Sequence, residues 1–153
     1  MLLLRVTEAL SRSRVPYALV GGYAVALHGA VRGTVDIDIV IRWKERDFQS
    51  AEHALNALGL VSRLPVTATE VFRFREEYVR NRNMTAWTFV NPARPSEIVD
   101  VILTEDLKGM GLRRVRFQGK ILRLASIEDL IRMKEKSGRP QDQEDIKALR
   151  SLL

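Results

Sequence analysis

At 153 residues, 46% hydrophobic and 29% charged, the chain is long enough and apolar enough for one globular domain with a real core. It has no cysteine, which excludes disulfides, thiolate nucleophiles and zinc–thiolate sites together, and its apolar runs are too short or too glycine-broken to span a bilayer. The net charge of +6 points to polyanionic partners, although the basic residues, 19 Arg against 6 Lys, are spread along the chain and not gathered in a tail. The opening "MLLLRV" has no basic n-region, so no signal peptide is expected and the cytoplasm is the default compartment.

In chain order, "LLLRVTEALSRS" spaces its apolar residues as a helix. After Pro16, "YALVGG" reads as a short buried strand ending in two glycines, and "YAVALHGA" as a short helix closed by Gly29. Val35 to Ile41 alternates as a strand, and "KERDFQSAEHALNALG" is an amphipathic helix with Gly59 at its end. "EVFRF", "TAWTFV" and "EIVDVIL" read as strands, separated by the polar loop "REEYVRNRN" and by "NPARPS". "RRVRF" and "KILRLA" form a hairpin turning at Gln118–Gly119. "SIEDLIRMKEKSG" opens with Ser126 as a cap and Asp129 three residues on, and "RPQDQEDIKALRSLL" supplies the last helix. The fold class is therefore mixed α/β (α+β), one domain over residues 1–153, with a mixed sheet, flanking helices and a C-terminal helix pair near 126–152.

The strand "RGTVDIDIVI" poses a physical problem. Val35, Ile37, Ile39 and Ile41 share one face, which leaves Asp36 and Asp38 side by side on the other. Like charges on one strand face repel, and Asp is depleted in strands. Residues two apart lie roughly 6.5–7 Å from each other on a strand, so the two carboxylates can converge on a divalent ion. All-oxygen donors suit Mg²⁺, which takes substrate phosphates as further ligands. A bare D-x-D is as often a solvated strand surface, but two more features accompany it. Gly21 and Gly22 stand where a strand turns into a helix, a place where backbone N–H groups can approach a phosphate. Asp100 lies on the same strand face as Ile98 and Ile102, where a carboxylate needs a partner.

The combination "GGYAVALHGAVRGTVDIDIVI" with a later strand Asp resembles the signature of the DNA polymerase beta-like nucleotidyltransferase superfamily. The wording around "LHG", Arg32 and Thr34, and the tail "MKEKSGRPQDQEDIKAL", are most similar to small lincosamide-type and abortive-infection type IV toxin-type nucleotidyltransferases. The resemblance implies a polymerase beta-like fold and transfer of a nucleoside monophosphate from a nucleoside triphosphate to an acceptor hydroxyl. It implies Asp36, Asp38 and Asp100 as catalytic residues and ligands of a two-metal Mg²⁺ site that also accepts Mn²⁺. Gly21, Gly22, Arg32 and Lys134 would bind the nucleotide. The family often carries serine after the first glycine, where this chain has Gly22. Relatives often have a larger C-terminal helical domain, which leads to the expectation that a homodimer or partner chain completes the cleft. The acceptor is RNA or tRNA, a protein or a small molecule, with the charge leaning towards RNA. A toxin–antitoxin setting fits as well, with an antitoxin or binding module lacking its own turnover as the alternative.

Other residues carry blander readings. His28 and His53 have no second ligand at useful spacing, so zinc and histidine acid–base catalysis are not expected. Trp43 and Trp87 read as packing residues, and Arg139 and Asp142 as the turn and cap of the last helix. A nucleotide-sugar glycosyltransferase also uses D-x-D, but the glycine pair and the third strand Asp argue against it.

Overall fold

The computed structural model of the chain describes residues 1–30, 33 and 36–153. Its strands are β1 (Tyr17–Val20), β2 (Ile37–Ile41), β3 (Val61–Ser62), β4 (Ala86–Asn91), β5 (Arg94–Ile102), β6 (Leu112–Phe117) and β7 (Lys120–Ala125). Its helices are α1 (Leu2–Arg12), α2 (Gly21–Leu27), α3 (Glu45–Ala57), α4 (Ala68–Arg73), α5 (Arg75–Asn81), α6 (Ile127–Ser137) and α7 (Pro140–Arg150). The strands join in one mixed sheet of order β3-β4-β5-β2-β1-β7-β6. β2 runs parallel to β5 and β1 parallel to β7, while β1 and β2 are antiparallel.

Register divides the sheet into two faces. Leu19 aligns with Ile39 and Leu124, and Ile39 with Val101, which aligns with Trp87. All five are fully buried, and they form the main core face. Phe48 of α3 stacks on Trp87, with ring centroids 6.2 Å apart, and Phe72 of α4 meets Phe48 edge-on at 5.8 Å. Burying several such aromatics gains on the order of 2 kcal/mol each from area alone. The opposite face carries Val20, Asp38, Asp100 and Thr88 in one aligned row. A row of three polar groups in a sheet interior needs a reason.

Most elements follow the sequence pattern, but β3 has no counterpart in it, β5 already begins at Arg94 inside the expected connection "NPARPS", and two further segments change type. "EVFRF" is not a strand: Ala68–Arg73 is helix α4. Thr67 caps it, accepting from the Glu70 amide at 3.2 Å while Glu70 accepts from the Thr67 amide at 3.1 Å. That reciprocal capping box fixes the first turn, and Ala68 and Val71 on one helical face then bury completely. The segment "REEYVRNRN" is not a loop either, because α5 occupies most of it. The β6–β7 turn is as expected: Gln118 (φ +49°) and Gly119 (φ +77°) both take the left-handed backbone of a tight hairpin turn. Among the described residues no helix is long and apolar enough to cross a membrane.

Candidate active site

β1 stops at Val20 because Gly21 turns the chain with φ +68°, and Gly21 and Gly22 then open α2. At that turn the backbone passes against β2. A Cβ on Gly21 would overlap the Asp38 carboxylate and lie 2.9 Å from its Cγ. Glycine is required twice over there, by the backbone angle and by the space.

The carboxylates meet across strands. Asp38 is in register with Asp100 on the neighbouring parallel strand. Asp36 lies just before β2 and borders the same space. Thr88, in register with Asp100 from the other side, donates its hydroxyl to Asp100 Oδ1 at 2.5 Å. Burial pushes the Asp38 carboxyl up to about 7, with the charge and hydrogen bonding of Asp100 and then the charge of Asp36 adding to it, while Lys134 pulls the other way. The cluster thus has more negative charge than its surroundings compensate.

The three carboxylates and Lys134 line a cavity of about 660 Å³. Asp36, Asp38, Asp100, Gly21, Gly22 and Lys134, all expected from the sequence to act together, border that one space. Arg32 lies outside the described residues. α6 reaches the cavity from the far side, started by Ser126, whose hydroxyl accepts from the Asp129 amide at 3.1 Å. Eight residues on, Lys134 is nearly buried, with Nζ 2.8 Å from Asp145 Oδ2 and 3.6 Å from Asp142 Oδ1. Gln141 donates to the other Asp145 oxygen at 3.1 Å. Lys134 is therefore both a wall of the cavity and the cation of a buried cluster with two α7 carboxylates.

Arg139 and Asp142 fix the α6–α7 turn as their spacing suggests. Arg139 meets Asp142 through Nε at 3.0 Å and through its own amide at 3.1 Å. Although burial alone would raise the Asp142 carboxyl, the hydrogen bonds from Arg139 and Ser137 hold it down at about 2. Arg139 also lines the cavity, and its charge is felt at Asp38. Sequence reasoning missed that placement, along with Thr88, Asp145 and Glu105. Glu105 is nearly buried at the cavity wall and paired with Arg132 at 2.8 Å and Lys136 at 3.3 Å. His28 Nε2 sits 2.8 Å from the Ala125 carbonyl oxygen. Trp87 is fully buried, and Trp43 packs under the Arg75 guanidinium.

Among the described residues no group of three or more His, Asp or Glu side chains is preassembled as a metal centre. The chemistry of the donors still fits a hard divalent cation. Asp36, Asp38 and Asp100 offer only carboxylate oxygens, and a cation held among them would offset both the burial and the neighbouring carboxylate charge that raise Asp38.

A family of proteins described as "nucleotidyltransferase of unknown function (DUF6036)" matches this chain over residues 2–150. The chain belongs to that family. It is a transferase of nucleotidyl groups, and its mixed sheet with flanking helices is the fold of solved nucleotidyltransferases. No curated protein sequence matches this nucleotidyltransferase significantly. Among solved structures, the antibiotic-resistance factor ANT(2'')-Ia is similar with a TM-score of 0.64 at 15% identity, over 99% of this chain and 80% of the other. The lincosamide antibiotic adenylyltransferase LnuA, bound to lincomycin, gives 0.64 at 18% identity over 99% and 96%. An antigenic nucleotidyltransferase-like protein from Paracoccidioides brasiliensis gives 0.59 at 18% identity over 99% and 74%. At these identities the likeness is one of fold.

Proposed function

We propose that this nucleotidyltransferase moves a nucleoside monophosphate from a nucleoside triphosphate to an acceptor hydroxyl, with Mg²⁺ held by Asp36, Asp38 and Asp100. The observation that carries the reading is the register: Asp38 and Asp100 stand side by side on adjacent strands, facing a cavity that Gly21 and Gly22 also border. Bound Mg²⁺ would neutralise the phosphate oxygens and the charge that develops on the leaving pyrophosphate. Gly21 and Gly22 give the triphosphate side-chain-free backbone to lie against. Lys134 and Arg139, which line the cavity, would meet its phosphates as cations, and Arg32 joins the nucleotide-binding residues. Asp100, oriented by Thr88, accepts the proton of the acceptor hydroxyl. The acceptor oxygen bonds to the α-phosphorus as the bond to the bridging oxygen breaks, and pyrophosphate departs with the electron pair.

The test is transfer of α-³²P label from each of the four ribonucleoside triphosphates with Mg²⁺, in the wild type and in Asp36→Asn and Asp38→Asn. Label transfer by the wild type, and background in both variants with their fold intact, is the expected result. Undiminished transfer by both variants would overturn the assignment. Tight Mg²⁺-dependent triphosphate binding with no transfer to any acceptor would instead favour a nucleotide-binding module without turnover.

A further inference from the structure

The positive charge of the chain is less diffuse than its basic residues suggest. Between Leu112 and Ala125 there are five cationic side chains, Arg113, Arg114, Arg116, Lys120 and Arg123, and no carboxylate. This hairpin of 14 residues thus holds five of the six net positive charges of the whole chain. Eight of the 14 described arginines elsewhere form salt bridges, whereas none of these five does among the described residues.

The register places three of them on the face that carries the carboxylates. Leu124 aligns with Leu19 on the core face, so Arg123 lies on the opposite one, with Val20 and Asp38. Arg114 is directly across from Arg123, and Arg116 directly across from Ile121. Like charges facing each other on a strand pair are destabilising, a cost that an anionic partner would remove. Arg114 and Arg116 are exposed, and so are Ile121 (52%) and Leu112 (47%), which share this face. β6 is the last strand of the sheet, so among the described residues no strand pairs with its outer side. Counting strand spacings and rise, Arg123 and Arg114 stand about 12–16 Å from Asp38.

We infer that this hairpin face is the docking surface for a polyanionic acceptor, the single-stranded 3′ portion of an RNA. Three points favour RNA over an acidic protein. The planar guanidinium fork matches phosphate oxygens two at a time. Alternate arginines on a strand repeat at roughly 7 Å, a spacing suited to successive phosphates of an extended strand. Exposed Ile121 and Leu112 beside them give the bases an apolar surface to lie against. An RNA end also brings a terminal hydroxyl, the group the proposed reaction consumes. The inference rests on the nucleotidyl-transfer reading for that last point alone.

The test measures binding of a fluorescein-labelled single-stranded RNA of about twenty nucleotides and mixed sequence, between about 50 and 200 mM salt. The proteins are the wild type, Arg114→Glu/Arg116→Glu and Arg114→Lys/Arg116→Lys. The glutamate pair keeps the edge strand charged and hydrophilic, so any protection of the edge against strand pairing is preserved. It is expected to bind about tenfold or more weakly and to lose about 1.4 from the log–log salt slope. The lysine pair, which keeps the charge and loses the fork, is expected to bind between the wild type and the glutamate pair. Equal binding by the wild type and the glutamate pair overturns the inference. So does hairpin-dependent binding of polyglutamate, or of vesicles containing phosphatidylserine, as tight as that of RNA. Thermal stabilisation by Mg²⁺ with ATP, GTP, CTP and UTP is read on the same three proteins. Its absence in the wild type counts against the transferase reading, and its presence in all three, with RNA binding unchanged, counts against the docking surface alone.

Discussion

Gly21 and Asp38 compete for one volume: the Cβ that any other residue would carry at position 21 falls on the Asp38 carboxylate. The first glycine of the pair is therefore a constraint on where the aspartate can stand, as well as a flexible turn. A left-handed backbone costs a side-chain-bearing residue about 1–2 kcal/mol before any clash is added. Gly21→Ala should lower stability by more than about 2 kcal/mol, because the backbone cost and the clash add. It should also abolish label transfer, because the carboxylate is displaced. Urea unfolding with the transfer assay checks both, and an alanine variant of wild-type stability and rate would show that the close approach is dispensable.

Thr88 is the second constraint. Its hydroxyl donates to Asp100 Oδ1, so it fixes which way that carboxylate faces without itself bordering the cavity. Groups that orient a metal ligand or base in this way are typically worth about 10–100-fold in activity or metal affinity. Thr88→Val keeps the shape and removes the bond. The expected loss is within that range, with Thr88→Ser recovering most of it, and the two variants should unfold within about 1 kcal/mol of the wild type. A valine variant with full turnover would show that Asp100 needs no orienting partner.

How much of this was legible in the sequence depends on the range of the interactions involved. The alternation around Asp36 and Asp38 is local, and Ile37–Ile41 forms the expected strand. Ser126 and Asp129 announce α6 because a cap spans only three residues. Thr67 and Glu70 announced α4 in the same way, but the alternation of Phe72, Arg73 and Phe74 mimicked a strand and won the reading. Thr88 could not be reached, because its pairing with Asp100 depends on the register of the β4–β5 hairpin. A shift between Val90 and Asn91 moves that register away from what the turn alone implies. Asp145 was hidden for another reason: on an exposed-looking helix such as α7 an aspartate is ordinary, and only its burial against Lys134 sets it apart.

Lys134 and Asp145 yield a prediction that separates fold from nucleotide binding. Removing one member of a buried ion pair costs about 3–5 kcal/mol because the other is left uncompensated. Lys134→Met removes the cation 2.8 Å from the nearly buried Asp145 while Asp142 keeps Arg139, and should destabilise towards the lower end of that range. Lys134→Met combined with Asp145→Leu should recover part of the loss. If Lys134 also meets the triphosphate, the double variant will still show a raised KM for the nucleotide. Recovery of KM together with stability would make Lys134 a purely structural cation.

Asp142 sets an acid limit on the turn between the last two helices. Its carboxyl is held at about 2, below the ordinary 3.8, despite a burial that works in the opposite direction. A depressed folded-state value means that the unfolded chain binds the proton more readily. The stabilisation is therefore complete at neutral pH and is lost as pH falls from about 5 towards 2. Holding the carboxyl at about 2 instead of the ordinary 3.8 corresponds to about 2–3 kcal/mol, and Asp142 is buried deeply enough for solvent to screen little of it. Arg139, which supplies most of the bonds, is itself well exposed, so added salt should erode a part of this contribution. Urea midpoints of the wild type and Asp142→Asn across that pH range isolate the effect, since all other carboxylates titrate in both proteins. The wild type should lose about 2–3 kcal/mol more than the variant on acidification. Parallel pH profiles would mean that Arg139 and Ser137 hold the Asp142 carboxylate no more tightly than water does.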